Sequence, residues 1–161
     1  MSDIKTRLIT AADNPVIAEI IRTNLKKFHL DIPGTAYFDP ELDCLSEYYS
    51  AAPGKRAYFI AEDDKQIIGG VGVAEFENIA CCAEIQKLYL TDAAKGKGLG
   101  RMLMQTAENF AKDMNYKKLY LETHSDLKAA VRLYEKLGFK ETDRPAFVLH
   151  GTMDKFYIKE I

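Results

Sequence analysis

The sequence predicts an α/β fold of the α+β type, with one mixed, mostly antiparallel central sheet flanked by helices. Three observations predict it. The period of the apolar residues changes repeatedly between 3.6 and 2 along the chain. Short turns separate the strands of the first half, whereas a helix separates the strands of the second half, as expected for a parallel pair. The 161 residues suffice for one domain over residues 1–161 with its own core.

The N-terminal part is predicted to be a strand followed by two helices. The strand covers Asp3 to Thr10. The sequence Asp13-Asn14-Pro15 then combines a capping side chain with a proline in the first turn, which is typical of a helix start. Apolar residues at helical spacing carry this helix from about Pro15 to Phe28, and a short second helix is expected from Glu41 to Tyr49.

The segment between these helices, His29 to Asp43, is rich in turn formers but also in apolar and aromatic residues. It is too apolar for a solvated linker. Such a loop either packs over a pocket or serves a purely structural role, and its sequence leaves both readings open.

The middle of the chain is predicted to be an antiparallel meander. A strand at Ala57–Ala61 is followed by a tight turn at Asp63-Asp64-Lys65 and by a second strand from Ile67 to Glu75. A third strand covers Ala80 to Leu90.

The remainder is predicted to alternate helices and strands. The unit from Glu84 to Thr123 should be a right-handed strand–helix–strand crossover with parallel strands. Asn115 is a suitable C-terminal cap for its helix. The expected elements are a helix at Gly98–Met114, a strand at Lys118–Thr123, a helix at Asp126–Leu137, and strands at Phe139–Thr142 and Met153–Ile158.

Composition excludes several classes of function. The net charge of −2 provides no surface for a polyanion, so nucleic acid is not expected as a partner. Cys44, Cys81 and Cys82 lack the spacing of a zinc site, so no metal is expected and the cysteines are predicted to be free thiols. Without an apolar leader or an apolar run of about 18 residues, we expect a cytoplasmic protein that does not bind membranes.

The stretch DAAKGKGLGRML, Asp92 to Leu103, leads from a strand into a helix. Lys95, Lys97 and Arg101 lie in or beside the first turn, where the partial positive charge of the helix makes cations unfavourable unless an anion binds. The alternative is a solvated basic loop. The glycine spacing matches neither GxxxxGK[ST] nor GxGxxG, so neither common nucleotide motif is present.

Two stretches carry a resemblance to a known family. YLTDAAKGKGLGRML resembles the acyl-CoA pyrophosphate loop of the GNAT superfamily of N-acetyltransferases, with Lys95 in place of the usual Arg or Gln, followed by Gly98 and Gly100. AAVRLYEKLGFKET resembles a later helix–turn–strand signature of the same superfamily. The two motifs have the usual separation, and the resemblance extends from about Ala57 to Thr142.

The resemblance implies how acetyl-CoA, the expected co-substrate, would bind. The strand from Glu84 to Leu90 would splay away from its neighbour and pair with the pantetheine arm through its backbone, and an N–H near Leu88 would polarise the thioester carbonyl. The backbone N–H groups of the glycine stretch would hold the pyrophosphate. The implied cofactor-binding residues are Leu88, Tyr89, Leu90, Lys95, Gly96, Lys97, Gly98, Leu99, Gly100 and Arg101.

Two residues are candidates for the proton transfers. Tyr134 matches the tyrosine of the family that protonates the thiolate, and a phenol can donate to a nascent thiolate. It also shares one helical face with Leu127 and Leu137, so a core tyrosine is the alternative. Glu84 is the candidate base that deprotonates the amine; the alternative is an exposed strand glutamate.

The acceptor side has weaker signals. Gln86 lies on the same strand face as Glu84 and would orient the acceptor. Tyr37, Phe38 and Asp39 are candidate lining residues, because the family builds its acceptor site largely from the N-terminal helices and their loop. Many family members carry Asn where this chain has Leu127. His124, with Ser125, is a candidate to compensate, although a lone histidine is more often structural.

Three functions agree with these features. The first is acetylation of a small-molecule primary amine by direct attack, and the second is acetylation of a protein N-terminus or lysine. The third is an acyl-CoA-binding module without turnover, which the pairing of Glu84 with Tyr134 disfavours. A homodimer is compatible with the exposed aromatic pair Tyr48-Tyr49, and the sequence does not identify the amine.

Overall fold

The computed structural model describes residues 3–148 and 151–161, so His150 lies outside the described residues. These described residues contain seven strands and four α-helices. They are β1 (Ile4–Leu8), α1 (Asn14–Lys27), α2 (Leu45–Ser50), β2 (Ala57–Asp63), β3 (Gln66–Glu75), β4 (Cys82–Leu90), α3 (Leu99–Asp113), β5 (Lys118–Thr123), α4 (Lys128–Lys136), β6 (Lys140–Thr142) and β7 (Lys155–Glu160).

The strands form one sheet in the order β1-β2-β3-β4-β5-β7-β6. All neighbouring strands are antiparallel except β4 and β5, which are parallel and are connected through α3. The predicted mixed, mostly antiparallel sheet flanked by helices is therefore confirmed, including the parallel pair of the strand–helix–strand unit.

The helices cover both faces of the sheet. On one face, α3 packs its small and apolar residues, such as Leu103 and Ala107, against fully buried strand residues such as Val71 and Leu119, and Tyr134 of α4 joins this cluster. On the other face, α1 and α2 bury an isoleucine- and leucine-rich stripe against β2 and β3. Burial of these apolar stripes is the main source of stability for both layers.

Several elements begin or end at other residues than predicted, each for a local reason. The strand β1 ends at Leu8 because Thr10 and Asp13 form a capping box. The predicted second helix is split into a 3-10 turn at Leu42–Cys44 and α2. The strand β4 begins at Cys82 because Cys81 has a φ of 53°. The helix α4 begins at Lys128 because His124 to Leu127 form a turn.

The hairpin between β2 and β3 is tighter than predicted. Asp63 pairs with Gln66, and the two residues between them, Asp64 and Lys65, both have positive φ values, as in a two-residue I′ turn. No helix in the described ranges is long and apolar enough to cross a membrane.

Candidate active site

The parallel strands β4 and β5 separate soon after they begin. They pair only from Cys82 to Glu84 on β4 and from Lys118 to Tyr120 on β5. The remainder of β4, up to Leu90, pairs with β3 on one side and with no described strand on the other. The predicted splay of these strands is therefore present, and it leaves one edge of β4 free to pair with an extended ligand. The Leu90 carbonyl is partly occupied, since it accepts a hydrogen bond from Asn24 Nδ2 at 2.9 Å.

The glycine loop, Lys95–Arg101, connects the end of β4 to α3. Gly96 and Gly98 have φ values of 75° and 79°, and Gly98 is the N-cap of α3 without a side-chain cap. A Cβ atom added to either glycine would meet no atom within 4 Å, so the space in front of the loop is open. The first N–H groups of a helix have no intrahelical acceptor. The loop therefore presents a concave set of free backbone donors, which fits a diphosphate.

The charged side chains of this loop differ in their partners. Lys95 Nζ lies 2.8 Å from Asp92 Oδ1, so its charge is already paired. Lys97 and Arg101 are exposed and form no ion pair within the described residues. Two cations thus remain at a helix N-terminus, where an anion would be stabilised.

The other two loop residues set the position of α3. Leu99 is buried in the core. A Cβ atom at Gly100 would lie 3.0 Å from Leu133 Cδ2, so the absence of a side chain lets α3 approach α4 closely.

Tyr134 lies on α4 within the core of the α3 face. Its ring contacts Phe139 and Tyr157, with centroids 6.0 and 6.2 Å away. Burial raises the pKa of its phenol well above the usual range. Burial, and to a smaller extent Tyr134, raises the pKa of Tyr89 on β4. No described residue forms a hydrogen bond with the Tyr134 hydroxyl, which is therefore free to donate a proton to a ligand.

Glu84 lies where β4 and β5 begin to separate and is the start of a chain of hydrogen bonds, the acceptor-side network. Gln86 Nε2 donates to Glu84 Oε2 at 3.3 Å, and Tyr49 Oη donates to Gln86 Oε1 at 2.7 Å. The pKa of Glu84 is raised to about 7, mainly by burial. The nearby carboxylate of Glu122 contributes in the same direction, whereas Gln86 and Lys87 act in the opposite direction. A carboxylate with a pKa near 7 is suited to accept a proton close to neutral pH.

A bulge interrupts β4 directly after Gln86. The pairing with β3 shifts register between Gly70 and Gly72, and Lys87 has a φ of 49°. Tyr58 Oη donates to the Lys87 carbonyl at 2.8 Å. The bulge therefore has a fixed backbone conformation and leads directly into Leu88.

Lys87 has a side chain that is only 7% exposed, and its ammonium forms two ion pairs. Nζ lies 2.7 Å from Asp39 Oδ2 and 3.4 Å from Glu41 Oε1. Sequence reasoning did not identify this residue. The sequence feature that could have indicated it is a lysine within a half-buried strand, β4, that pairs with the glycine-rich strand β3.

Two glycines of β3 make room for the tyrosines of this region. A Cβ atom at Gly72 would collide with the Tyr49 hydroxyl, and one at Gly70 would collide with the Tyr58 ring. Bare backbone at these two positions thus allows Tyr49 and Tyr58 to reach β4.

The remaining predicted residues lie around the splay without contacting Glu84. Tyr37 and Phe38 form a tilted aromatic pair, 5.1 Å between centroids, in a 3-10 turn directly before Asp39. His124 lies beyond the end of β5, where Nδ1 is 3.5 Å from Asp126 and Nε2 is 4.0 Å from Asp154. Of the predicted acceptor-side residues, Gln86 therefore contacts Glu84, whereas His124 contacts Asp126 and Asp154 instead.

The position where the family usually has Asn is used for packing. Leu127 contacts the apolar cluster of the α1 face, which also includes Tyr89. The hydroxyl of nearby Ser125 donates to Asp154 Oδ2 at 2.6 Å.

Comparisons with known proteins agree with this geometry. A model of the acetyltransferase (GNAT) family matches residues 23–139. The uncharacterized N-acetyltransferase YjgM of Escherichia coli K12 is 40% identical over 141 residues, which cover 85% of this chain and 82% of that protein.

Solved structures share the fold. A GNAT acetyltransferase from Staphylococcus aureus Mu50 superposes with a TM-score of 0.86 at 20% identity, over 98% of this chain and 99% of that one. The acetyltransferase yncA from Salmonella typhimurium, solved with acetyl-CoA, has a TM-score of 0.74 at 22% identity, over 99% and 94% of the two chains.

Proposed function

The chain belongs to the GNAT family and is an acyl-CoA-dependent N-acetyltransferase, and we propose that its acceptor is a primary amine of a small molecule. In the proposed reaction the amine attacks the acetyl carbonyl directly, with Glu84 as the base and Tyr134 as the acid. The support comes from what each side of the splay offers chemically.

Glu84 would prepare the nucleophile. An ammonium has no lone pair, so one proton must leave before attack, and the ionised Glu84 carboxylate would accept it. Gln86 and Tyr49 orient this carboxylate through the hydrogen-bond chain. Nitrogen then forms a bond with the acetyl carbon and the carbon–sulfur bond breaks. The nitrogen releases a second proton, which balances the proton that Tyr134 gives to sulfur, and the product is a neutral amide.

Tyr134 would complete the reaction on the opposite side. The departing sulfur carries the electron pair of the broken bond as a thiolate, and the phenol supplies its proton. The raised pKa keeps this phenol protonated at neutral pH until the thiolate forms. The amide N–H of Leu88, the residue after the bulge, would polarise the acetyl carbonyl, and the glycine loop would hold the diphosphate.

The assignment to a small acceptor is supported by contacts between the loops that lie beside the separated ends of β4 and β5. The loop of residues 28–41 is attached to β4 through the Asp39–Lys87 ion pair. The same loop accepts a hydrogen bond at the Pro33 carbonyl from Thr152 Oγ1, at 2.7 Å.

The remaining contacts of these loops are made just after the end of β5. Asp154, two residues after Thr152, accepts hydrogen bonds from the backbone N–H and the hydroxyl of Ser125. Both strands of the splay are therefore joined through loops that touch each other. Loops joined in this way would favour a compact amine over an extended polypeptide.

A thiol-release assay tests this proposal. The protein would be mixed with acetyl-CoA and, separately, with small amines, amino acids and peptides, and free CoA thiol would be measured. We expect small amines to give the highest kcat/KM. Faster turnover of peptides would contradict the small-molecule assignment, and acetyl-CoA binding without thiol release on any acceptor would favour a non-catalytic module.

A further inference from the structure

Lys87 is an unexpected residue at its position. Its side chain is almost completely buried, and its backbone has a φ that L-residues rarely adopt. Burial of a charge is costly unless it is paired, and a hydrophobic replacement of a buried ion pair is often as stable or more stable. Stability of the fold thus gives no reason for a lysine at this bulge.

The contacts of Lys87 join two parts of the active site. Its partners Asp39 and Glu41 follow the aromatic turn of the 28–41 loop and lie 48 and 46 residues away along the chain. Their side chains are 35% and 26% exposed, so the loop carries the solvent-facing half of the ion pair.

The backbone of the bulge is held from the opposite side. The hydroxyl of fully buried Tyr58 donates to the Lys87 carbonyl, and Tyr49 holds the side chain of the preceding Gln86. The direction of the next amide, that of Leu88, therefore depends on side chains from β2, from α2 and from the 28–41 loop.

We propose that Lys87 is a positioning residue for acetyl transfer: its ion pair with Asp39 and Glu41 fixes the β4 bulge so that the Leu88 N–H polarises the acetyl carbonyl. This inference rests on the proposed function and adds a residue to it. The position of the 28–41 loop and the alignment of the carbonyl are then linked, because the same ammonium takes part in both.

The decisive variant is Lys87→Met, which keeps the length of the side chain and removes its charge. We expect kcat to fall on the order of 30- to 100-fold, while KM for acetyl-CoA stays within about twofold. Bound acetyl-CoA labelled with 13C at its carbonyl should show a lowered carbonyl stretching frequency by infrared spectroscopy in the wild type. Lys87→Met should lose this shift.

Four further variants separate positioning from a general structural effect. Lys87→Arg should restore most of kcat and of the infrared shift. The double variant Asp39→Asn/Glu41→Gln should reproduce the loss, and adding it to Lys87→Met should cost little more. Lys112→Met, which removes an exposed ion pair with Glu108 on α3, is the matched control and should leave both readouts unchanged.

Two outcomes would overturn the inference. One is a folded Lys87→Met with wild-type kcat and infrared shift. The other is a raised KM for the acceptor while kcat and the infrared shift stay unchanged. Lys87 would then bind the acceptor itself. If Lys87→Met does not fold, the Asp39→Asn/Glu41→Gln variant tests the same ion pair from its exposed side.

The infrared measurement needs no acceptor and therefore separates this inference from the proposed function. A wild type that shifts the carbonyl but releases no thiol with any amine would contradict the proposed reaction. The effect of Lys87 on the shift would still be measured.

Discussion

The glycine loop and the region around Glu84, on the two sides of the gap between β4 and β5, are built in different ways. On the cofactor side, the glycine loop spans seven consecutive residues, Lys95–Arg101, and offers mainly backbone N–H groups over open space. On the proposed acceptor side, Lys87 is held by residues 39, 41 and 58, which are distant in the chain. Glu84 accepts a hydrogen bond from Gln86, which is in turn held by the distant Tyr49.

This difference matches what each side has to recognise. A diphosphate is the same in every acyl-CoA, so a local backbone conformation is sufficient to hold it. An amine acceptor differs between enzymes, and side chains on separate elements can be changed one at a time. We therefore expect variants on the two sides to have separable effects, on cofactor affinity in one case and on turnover in the other.

Glu84→Gln should have the largest effect and should be confined to turnover. Because the amide cannot accept the proton of the ammonium, kcat is expected to fall about 100- to 1,000-fold. Acetyl-CoA affinity, measured by calorimetry, should stay within twofold. In the wild type, kcat should rise with pH and level off above about 7, where Glu84 is ionised; a flat profile from pH 5.5 to 8.5 would argue against Glu84 as the base.

Gly98→Val should have the reverse effect. A β-branched residue at a φ of 79° is strained, and its side chain would fill the space in front of the loop. Acetyl-CoA affinity is expected to fall by roughly 100-fold. Gly54→Val is the matched control, because Gly54 also has open space around it but no positive φ; an equal loss in both variants would remove the special role of the loop.

Tyr134→Phe should affect turnover without changing the affinity for either substrate. The thiolate would then depart without a proton donor, and kcat is expected to fall about 10- to 100-fold. The ring and its contacts with Phe139 and Tyr157 remain, so the thermal midpoint should change little. Unchanged turnover in this variant would assign Tyr134 to the core alone.

Glu84→Gln should also change stability, with a pH dependence that identifies the carboxylate. Because the pKa of Glu84 is raised from 4.5 to about 7 in the folded protein, the folded state binds more protons than the unfolded state within that window. Wild-type stability therefore decreases as pH rises from 4.5 to 7. The variant should gain up to about 3 kcal/mol relative to wild type at pH 8 and little at pH 4.5, as measured by urea unfolding; a pH-independent difference would speak against the raised pKa.

Lys95→Ala should have the smallest effect. The ammonium of Lys95 is paired with Asp92, and the loop acts through its backbone. An exposed ion pair contributes at most about 1 kcal/mol, so acetyl-CoA affinity should change less than about fivefold. A loss comparable to that of Gly98→Val would mean that this side chain, like the Arg or Gln usual in the family, binds the cofactor directly.

Sequence reasoning predicted the local structure of the glycine loop better than the contacts around Glu84, and the reason is physical. The strand, the glycines and the helix that form the loop are adjacent in the chain, so their spacing determines their geometry. The parallel pair and its splay followed from the same local order together with the family resemblance.

The acceptor side depended on tertiary contacts that no spacing reveals. The bulge at Lys87 arises because β3 and β4 shift register, and its partners Asp39 and Glu41 lie in a loop whose position follows from packing of the whole α1 face. Alternation along β4 correctly placed Gln86 with Glu84, but it gave no indication of Tyr49, which is hydrogen-bonded to Gln86.

The bare backbone at Gly70 and Gly72 has a consequence for any mutational survey of this enzyme. Neither position has a side chain, and neither would be chosen as functional from its chemistry. Yet a methyl group at either one would displace Tyr58 or Tyr49, and with it the hydrogen bonds to Lys87 or Gln86. In a saturation scan scored by activity, these two glycines should therefore be as intolerant of substitution as Glu84 and Tyr134, the proposed base and acid.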